Sequence, residues 1–336
     1  MASSRVLLNT AATEEQRTEA SVDLDEPVVK EEILPVIDFG LLAEGTPDQR
    51  SKAVRELNRA CQDWGFFLLV NHGVPEKMRE EMIDKFKGFF DLTPGEKGEY
   101  ANTDVMNPIR HGTGFNTAVD DVRYWRSYLK TCVHPEFHSP TKPPGFRELL
   151  REYSTCIRNL GMKLLGGIWE SLGLEESYMK EALELDSCYQ VVVGNFYPPC
   201  PQPELATGLV PHSDHGLLTF LYQNGVDGLE VKHEGRWVRV KPSPNSYIVN
   251  IGDHMEIVSN GRYQSVLHRA YLNDRSTRLS IVSVVGASLE TVVIPSLPLV
   301  SSDRPPAFRG MKYGEFVEYQ QSHTLKEKSV LELLRV

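Results

Sequence analysis

Val210-Pro-His-Ser-Asp214 places a histidine and an aspartate two residues apart, directly after a proline. Pro211 restricts the backbone before it to extended geometry and argues against a helix at this point. Side chains at positions i and i+2 of an extended segment point to the same side, so His212 and Asp214 can reach one ion. The stretch therefore predicts a strand that carries two potential metal ligands.

A third potential ligand, His268, follows in Ser265-Val-Leu-His-Arg269, a predicted strand. Two imidazoles and one carboxylate on one face of an ion form the facial triad of non-haem Fe(II) oxygenases. The same donors also suit Zn(II) with an activated water, so these residues alone leave the metal open. His254 is the main competitor for the third position, but it follows a predicted strand that has already ended.

Arg278 and Ser280 also stand two residues apart in a strand-like segment and so share a face. A guanidinium makes two parallel, charge-assisted hydrogen bonds to a carboxylate, and a neighbouring hydroxyl fixes its orientation. Tyr197 adds a possible third donor from a different strand. The alternative is a surface salt bridge with a solvated serine.

The second half of the chain is rich in short Val, Ile, Leu and Tyr segments separated by turn signals, as expected of a sandwich or barrel. We predict strands over 189–197, 217–222, 228–232, 237–240, 247–251 and 278–285. The first half predicts a strand over 65–70 and helices over 48–64, 75–90, 146–172 and 175–183. Residues 101–145 are predicted to be irregular apart from a strand over 124–132. The helices need the sheet to cover their apolar faces, so one folding unit is expected.

The composition excludes some classes of function. The 336 residues carry a net charge of −10, which argues against a surface for nucleic acid or anionic membranes. The five scattered cysteines predict reduced thiols rather than a disulfide framework. No apolar run reaches the roughly 18 residues of a membrane span, and the acidic N-terminus does not fit a targeting segment. We expect a cytoplasmic monomer with no nucleic-acid or membrane partner.

Taken together, these motifs resemble those of the plant 2-oxoglutarate- and iron-dependent dioxygenases. The resemblance runs from about residue 34 to the C-terminus. Further matching segments are Trp64-Gly-Phe-Phe67, Asn71-His-Gly73, Asn195-Phe-Tyr-Pro-Pro-Cys-Pro201, Asn250-Ile-Gly-Asp253 and Ser259-Asn-Gly261. Within the family the chain looks most like hydroxylases of specialised metabolism, such as relatives of the salicylate hydroxylases linked to downy-mildew resistance, hyoscyamine hydroxylase and flavonoid oxygenases.

The resemblance implies an α+β fold with a double-stranded β-helix, or jelly roll, at its centre. N-terminal helices and a C-terminal helix are expected to flank this core. We predict a disordered tail over 1–30, a helical region over 31–186 packed on the core, the oxygenase core over 187–321 and a C-terminal helix or lid over 322–336.

The resemblance also implies the chemistry. Fe(II) is expected on His212, Asp214 and His268, and 2-oxoglutarate on Arg278, Ser280, Tyr197 and Asn195. The reaction would hydroxylate, desaturate or cyclise a small plant secondary metabolite while O2 and 2-oxoglutarate yield succinate and CO2, with ascorbate as reductant.

An aromatic or alicyclic substrate is expected near five further residues: Phe115, Tyr128, Lys130, Val284 and Phe308. Lys130 can pair with an acidic group on the substrate, or it can be a solvated hairpin residue. Three alternatives remain open: an ascorbate-using oxidase of the same fold without 2-oxoglutarate turnover, a non-catalytic ligand-binding module and a zinc hydrolase.

Overall fold

The computed structural model describes residues 28–29, 32–113, 124–322 and 329–336. Its strands are β1 (Val28–Val29), β2 (Val36–Asp38), β3 (Phe66–Val70), β4 (Ile109–Gly112), β5 (Ser127–His134), β6 (Gln190–Tyr197), β7 (Leu209–His212), β8 (Leu218–Gln223), β9 (Leu229–His233), β10 (Arg236–Val240), β11 (Tyr247–Ile251), β12 (His268–Ala270), β13 (Arg278–Val285), β14 (Val292–Val293) and β15 (Met311–Lys312). Its helices are α1 (Phe39–Glu44), α2 (Pro47–Asp63), α3 (Glu76–Phe90), α4 (Pro94–Gly98), α5 (Phe146–Leu172), α6 (Glu176–Ala182), α7 (Asp253–Val258), α8 (Tyr313–Ser322) and α9 (Ser329–Leu334). Most of the predicted N-terminal tail lies outside the described ranges.

The N-terminal helices begin and pack as their sequences indicate. A capping box precedes α2, in which Thr46 and Gln49 each accept a hydrogen bond from the other's backbone N–H. The glycines of α5 allow close packing. A Cβ at Gly161 would lie 3.4 Å from Phe220 of the sheet, and one at Gly167 would lie 3.4 Å from Leu57 of α2. These helices cover one face of the large sheet.

Two sheets form the centre of the molecule. The large sheet has the strand order β2-β3-β11-β8-β13-β6-β5-β4, and the smaller one has the order β1-β10-β9-β12-β7. Side chains alternate along β3, as they do in any strand. Phe67 and Leu69 join the core shared with the helices, whereas Phe66 and Leu68 join a second core shared with the smaller sheet. The expected α+β fold with a jelly-roll centre is confirmed.

Two regions differ from the sequence prediction. The stretch predicted to be irregular contains β4, and β5 runs later than the predicted 124–132. One reason is that Arg110 of β4 and Lys130 of β5 point to a cavity, which removes the apolar alternation typical of a strand. The helix α8 also escaped prediction, because its buried face includes the polar side chains of Gln320 and Gln321 as well as apolar ones.

Within the described ranges, no helix combines the length and the apolar character that spanning a bilayer requires.

The helices and the large sheet share one apolar core. At the C-terminal end, Arg335 Nη2 donates to Oε1 of buried Glu256 at 2.8 Å, which holds α9 against the body of the protein.

Candidate active site

The three predicted metal ligands meet between the two sheets. His212 ends β7, His268 begins β12, and the two residues are direct partners in the antiparallel pair. Asp214 follows in the loop after β7, with its Oδ1 3.9 Å from His212 Nε2 and 3.7 Å from His268 Nε2. One ligand atom from each residue lies within 4.8 Å of the others. The strand pairing therefore brings together residues that are far apart in sequence.

Backbone carbonyls hold both imidazoles in the same tautomer. Nδ1 of His212 lies 2.9 Å from the carbonyl oxygen of Val210, and Nδ1 of His268 lies 3.1 Å from that of Val266. A carbonyl can only accept a hydrogen bond, so Nδ1–H donates in each ring. Each Nε2 then has its lone pair available towards Asp214, the arrangement that metal-binding histidines use.

The charge state of the cluster suits a divalent cation. Burial, together with the neighbouring His268, lowers the pKa of His212 to about 3. Burial alone would raise the pKa of Asp214, but His268, His212 and the hydrogen bond from Asn250 bring it to about 2. A neutral imidazole beside an ionised carboxylate is the protonation state in which such groups bind metal. The residues present thus fit Fe(II), and as donors they also fit Zn(II).

The four predicted co-substrate residues form two facing pairs in the large sheet. Arg278 and Ser280 of β13 lie opposite Tyr197 and Asn195 of β6, and all four line the same cavity as the metal cluster. The structure therefore brings the two predicted sites together in one cavity of about 160 Å³. A single water needs about 10–15 Å³ by the same kind of measure, so the cavity can admit small organic molecules.

The guanidinium group of Arg278 is buried, and only some of its N–H groups have a hydrogen-bond partner in the part of the chain that the structure describes. Its Nε and Nη2 donate to Gln223 Oε1 at 3.1 and 2.8 Å, whereas Nη1 has no hydrogen-bond partner among the described residues. Burial lowers the pKa of Arg278, and Tyr197 opposes this change. Gly228 is needed beside it, because a Cβ there would lie 2.4 Å from Arg278 Cδ. A carboxylate would satisfy the remaining donor, since buried guanidinium groups are normally paired.

The predicted substrate residues divide into three groups. Tyr128, Lys130 and Val284 line the cavity. Phe115 lies outside the described residues. Phe308 differs from the expectation, because its side chain belongs to the apolar core, where it packs beneath Arg335 rather than among the residues that line the cavity.

Several cavity residues were missed by sequence reasoning. They lie beside the predicted ones and hold or surround them: Arg110, Arg126, Thr219, Gln223, Asn250 and Gln320. Asn250 opens the Asn250-Ile-Gly-Asp253 motif, but the sequence gives it no role. In the structure its Nδ2 donates to Asp214 Oδ2 at 2.8 Å. His254, the rejected competitor for the metal, lies in α7 with its ring 4.2 Å from that of Tyr313 and is not part of the metal cluster.

Comparisons with known proteins agree with this geometry. The family model of the 2OG-Fe(II) oxygenase superfamily matches residues 188–287, and that of the non-haem dioxygenase in morphine synthesis N-terminal region matches residues 34–149. The chain is 51% identical over 304 residues to 2-oxoglutarate-dependent dioxygenase 19 of Oryza sativa subsp. japonica, with 90% of each chain covered. It is 38% identical over 314 residues to thebaine 6-O-demethylase of Papaver somniferum, with 91% of this chain and 86% of the relative covered.

The fold is also similar to that of a solved oxygenase. The crystal structure of JOX2 in complex with 2OG, Fe and JA superimposes with a TM-score of 0.83 at 29% identity. The match covers 93% of this chain and 90% of that one.

Proposed function

Since the chain belongs to the 2OG-Fe(II) oxygenase superfamily and is a 2-oxoglutarate-dependent dioxygenase, we propose that it oxidises a small plant secondary metabolite at the cavity between its two sheets. The observation that supports this most directly is the single cavity lined by both the metal cluster and the buried Arg278. Hydroxylation, desaturation and ring closure are all outcomes open to such a site.

His212, Asp214 and His268 are the proposed Fe(II) ligands. Bound there, Fe(II) would activate O2 and couple the conversion of 2-oxoglutarate to succinate and CO2 with oxidation of the substrate. The carbonyl oxygens of Val210 and Val266 keep both Nε2 atoms free of protons. Asn250 holds Asp214 Oδ2 and leaves Oδ1 to face the imidazoles. The protein thus prepares the ligands before the metal binds.

Arg278 is the proposed anchor for the distal carboxylate of 2-oxoglutarate. Gln223 fixes the guanidinium through two donors and leaves Nη1 for the co-substrate. The hydroxyl groups of Ser280 and Tyr197 can donate beside it, and Asn195 adds an amide on the same face. We favour iron over zinc because the chain belongs to a family of 2-oxoglutarate-dependent dioxygenases, whose co-substrate such a carboxylate anchor suits.

Tyr128, Lys130 and Val284 are proposed to contact the substrate, and Phe115 is retained with them. Phe308 is not, since it packs in the core. An aromatic or alicyclic molecule suits a cavity with this mixed aromatic and polar lining. The names of the relatives are compatible with this class, since they include flavanone 3-dioxygenase 2 of Oryza sativa subsp. japonica and thebaine 6-O-demethylase.

We further propose that ascorbate serves as reductant and that the protein acts as a cytoplasmic monomer, in keeping with its five free thiols. We also propose that the helical region over 31–186 and the core over 187–321 fold as one unit, with residues 322–336 closing the C-terminal side. The apolar core that the helices and the sheet share supports this.

The decisive assay is succinate formation by the full chain with 2-oxoglutarate and O2. We expect Fe(II) to support it and Zn(II) not to, and we expect His268→Ala to abolish it. Oxidised product without succinate would favour the ascorbate-using oxidase instead. A variant His268→Ala that keeps both ligand binding and biological effect would favour a non-catalytic module.

A further inference from the structure

Three cationic side chains line the active-site cavity along β5 and its neighbouring strand β4. Arg110, Arg126 and Lys130 all line it, and each is at most 7% exposed. Arg126 and Lys130 share the face of Tyr128, because alternate residues of an extended segment point the same way. Arg110 lies directly opposite Lys130 in the β4–β5 pair. Like charges placed opposite each other destabilise a sheet, so fold stability does not account for this arrangement.

The hydrogen bonds of Lys130 do not neutralise its charge. Its Nζ donates to Gln321 Oε1 at 2.7 Å and to the carbonyl oxygen of Val105 at 3.3 Å. Both acceptors are uncharged, and an ammonium group has three protons to donate. A buried charge is normally paired with an opposite one, so Lys130 calls for a partner that the described residues do not supply.

The groups around Lys130 make its charge costly. Burial lowers the pKa of Lys130 to about 7, with Arg110 acting in the same direction and Cys132 and Asp104 opposing it. Arg110 and Arg126 make further interactions with other parts of the chain. Lys130 is therefore the group that calls for an anionic partner, and Arg110 contributes only by adding positive charge beside it.

Lys130 is separate from the proposed anchor for 2-oxoglutarate, whereas Arg126 contacts Asn195 of that site. Tyr197 of β6 pairs with Arg278, whereas Val193 of the same strand pairs with Lys130. These two positions are four residues apart, which is about 13 Å along a strand. Among the described residues that line the cavity, Asp214 is the only carboxylate, and it faces the two imidazoles. The positive charge of Lys130 therefore suits a second anion, in addition to 2-oxoglutarate.

We propose that Lys130, with Arg110 opposite it in the β4–β5 pair, binds the carboxylate of the substrate, and that this substrate is a small aromatic or alicyclic organic acid. This inference rests on the proposed function, since the same cavity is taken to hold metal and co-substrate. The carboxylate against Lys130 directs the rest of the molecule towards the metal cluster. Tyr128 lies between Arg110 and Arg126, with its ring centroid 5.8 Å from Arg110 Cζ and 5.1 Å from Arg126 Cζ.

The first experiment compares acids with their methyl esters. Pools of benzoic, cinnamic, phenylacetic and cyclohexanecarboxylic acids with their hydroxylated derivatives are tested against the full chain loaded with Mn(II) and 2-oxoglutarate, by thermal shift. The same pools are tested with Fe(II) by succinate formation. We expect binding and turnover with the acids, at concentrations at least tenfold lower than with the esters. Esters that bind as well as the acids, or an acid pool that does not bind at all, would overturn the proposal.

The two readouts separate this inference from the proposed function. Binding by thermal shift requires no turnover. Acids that bind without any Fe(II)-dependent succinate formation would contradict the oxygenase and leave the anion-binding role of Lys130 standing. Succinate formation stimulated by esters and not by acids would do the reverse.

The second experiment separates charge from packing with variants. Lys130→Met should reduce the preference for acid over ester at least tenfold, mainly through KM for the acid, and Lys130→Arg should retain the preference. Gln321→Met removes the hydrogen-bond partner of Lys130 but keeps the charge, so the preference should remain. Lys97→Met is a matched control, because Lys97 also donates to a backbone carbonyl, that of Phe90, but does not line the cavity. Equal losses in Lys130→Met and Gln321→Met would mean that Lys130 only anchors α8.

A pH profile gives a signature that a structural role would not produce. Because burial lowers the pKa of Lys130 to about 7, the side chain loses its charge as the pH rises through this value, and a bound carboxylate favours the charged form. The affinity for the acid should therefore fall above pH 7 by up to about tenfold per pH unit. Lys130→Arg should abolish this fall, and an unchanged profile in that variant would contradict the proposal.

Discussion

His212 and His268 lie directly opposite each other where β7 pairs with β12, with their ring centroids 4.2 Å apart. Each ring is held by the carbonyl two residues before it, so the two ligands are oriented by the same device on two strands. Two of the three proposed ligands are therefore positioned by strand pairing, and Asp214 alone lies in a loop.

Asn250→Ala should weaken metal binding. Asn250 donates to Asp214 Oδ2 and thereby fixes the one proposed ligand that is not in a strand. Loss of such a supporting hydrogen bond typically lowers metal affinity about 10–100-fold. Anaerobic calorimetry with Fe(II) or Mn(II) measures the effect, and Asn102→Ala, in a distant surface turn, serves as control. Unchanged affinity in Asn250→Ala would show that Asp214 is held by other contacts.

Arg278→Lys should raise KM for 2-oxoglutarate by about 10-fold or more, because an ammonium cannot bond Gln223 and a carboxylate with the planar fork of a guanidinium. Steady-state succinate assays at varied 2-oxoglutarate measure this. Arg275→Lys changes an exposed arginine whose neighbour is Asp274, and it should leave KM unchanged. Equal KM values for wild type and Arg278→Lys would place the carboxylate of 2-oxoglutarate elsewhere.

The sequence predicts those parts of the molecule in which one local pattern decides the outcome. The bounds of α5 and of β13 agree with the predicted 146–172 and 278–285, because long apolar periodicity leaves little choice. His212 and Asp214 converge as their spacing predicts, although only His212 lies in the strand and Asp214 follows it in the loop.

Other features depend on pairing between distant strands, and local patterns carry no information about that. The approach of His268 to His212 follows from the β7–β12 register, and the approach of Gln223 to Arg278 follows from β8 lying beside β13. The cations around Lys130 could not be predicted from the sequence for a second reason. Cations replace apolar residues where β4 and β5 face the cavity, so Arg110 lies on a strand that hydrophobic alternation does not reveal.

Gly194→Ala should lower the free energy of unfolding. Gly194 of β6 lies against α3, and a Cβ there would be 2.1 Å from Phe86 Cδ1. Both residues are in or beside the buried core, so the ring has to move, and overpacking of this kind costs about 1–3 kcal/mol. Urea unfolding measures the change. Gly98→Ala is the control, since its Cβ would meet nothing within 4 Å. A change in stability equal to that of Gly98→Ala would indicate that the core at Phe86 adapts freely.

His254→Leu should make stability less dependent on pH. His254 is fully buried between α7 and α8, with ring centroids 4.2 Å from Tyr313 and 4.7 Å from Phe316, and neither of its nitrogens has a hydrogen-bond partner among the described residues. Burial holds the pKa of His254 well below its usual value, and His215 lowers it further.

Below pH 6.5 the unfolded chain therefore binds a proton at His254 that the folded chain does not, so the free energy of unfolding falls as the pH falls. Between pH 7 and pH 5 wild type should lose about 1–2 kcal/mol more than His254→Leu, at up to about 1.4 kcal/mol per pH unit. Urea unfolding of both proteins across this range measures the difference, and His138→Leu controls for removal of a histidine near the surface. Because the comparison is made between variants, the carboxylates that also titrate in this range cancel. Parallel stability curves for wild type and His254→Leu would mean that the imidazole becomes protonated within the folded core.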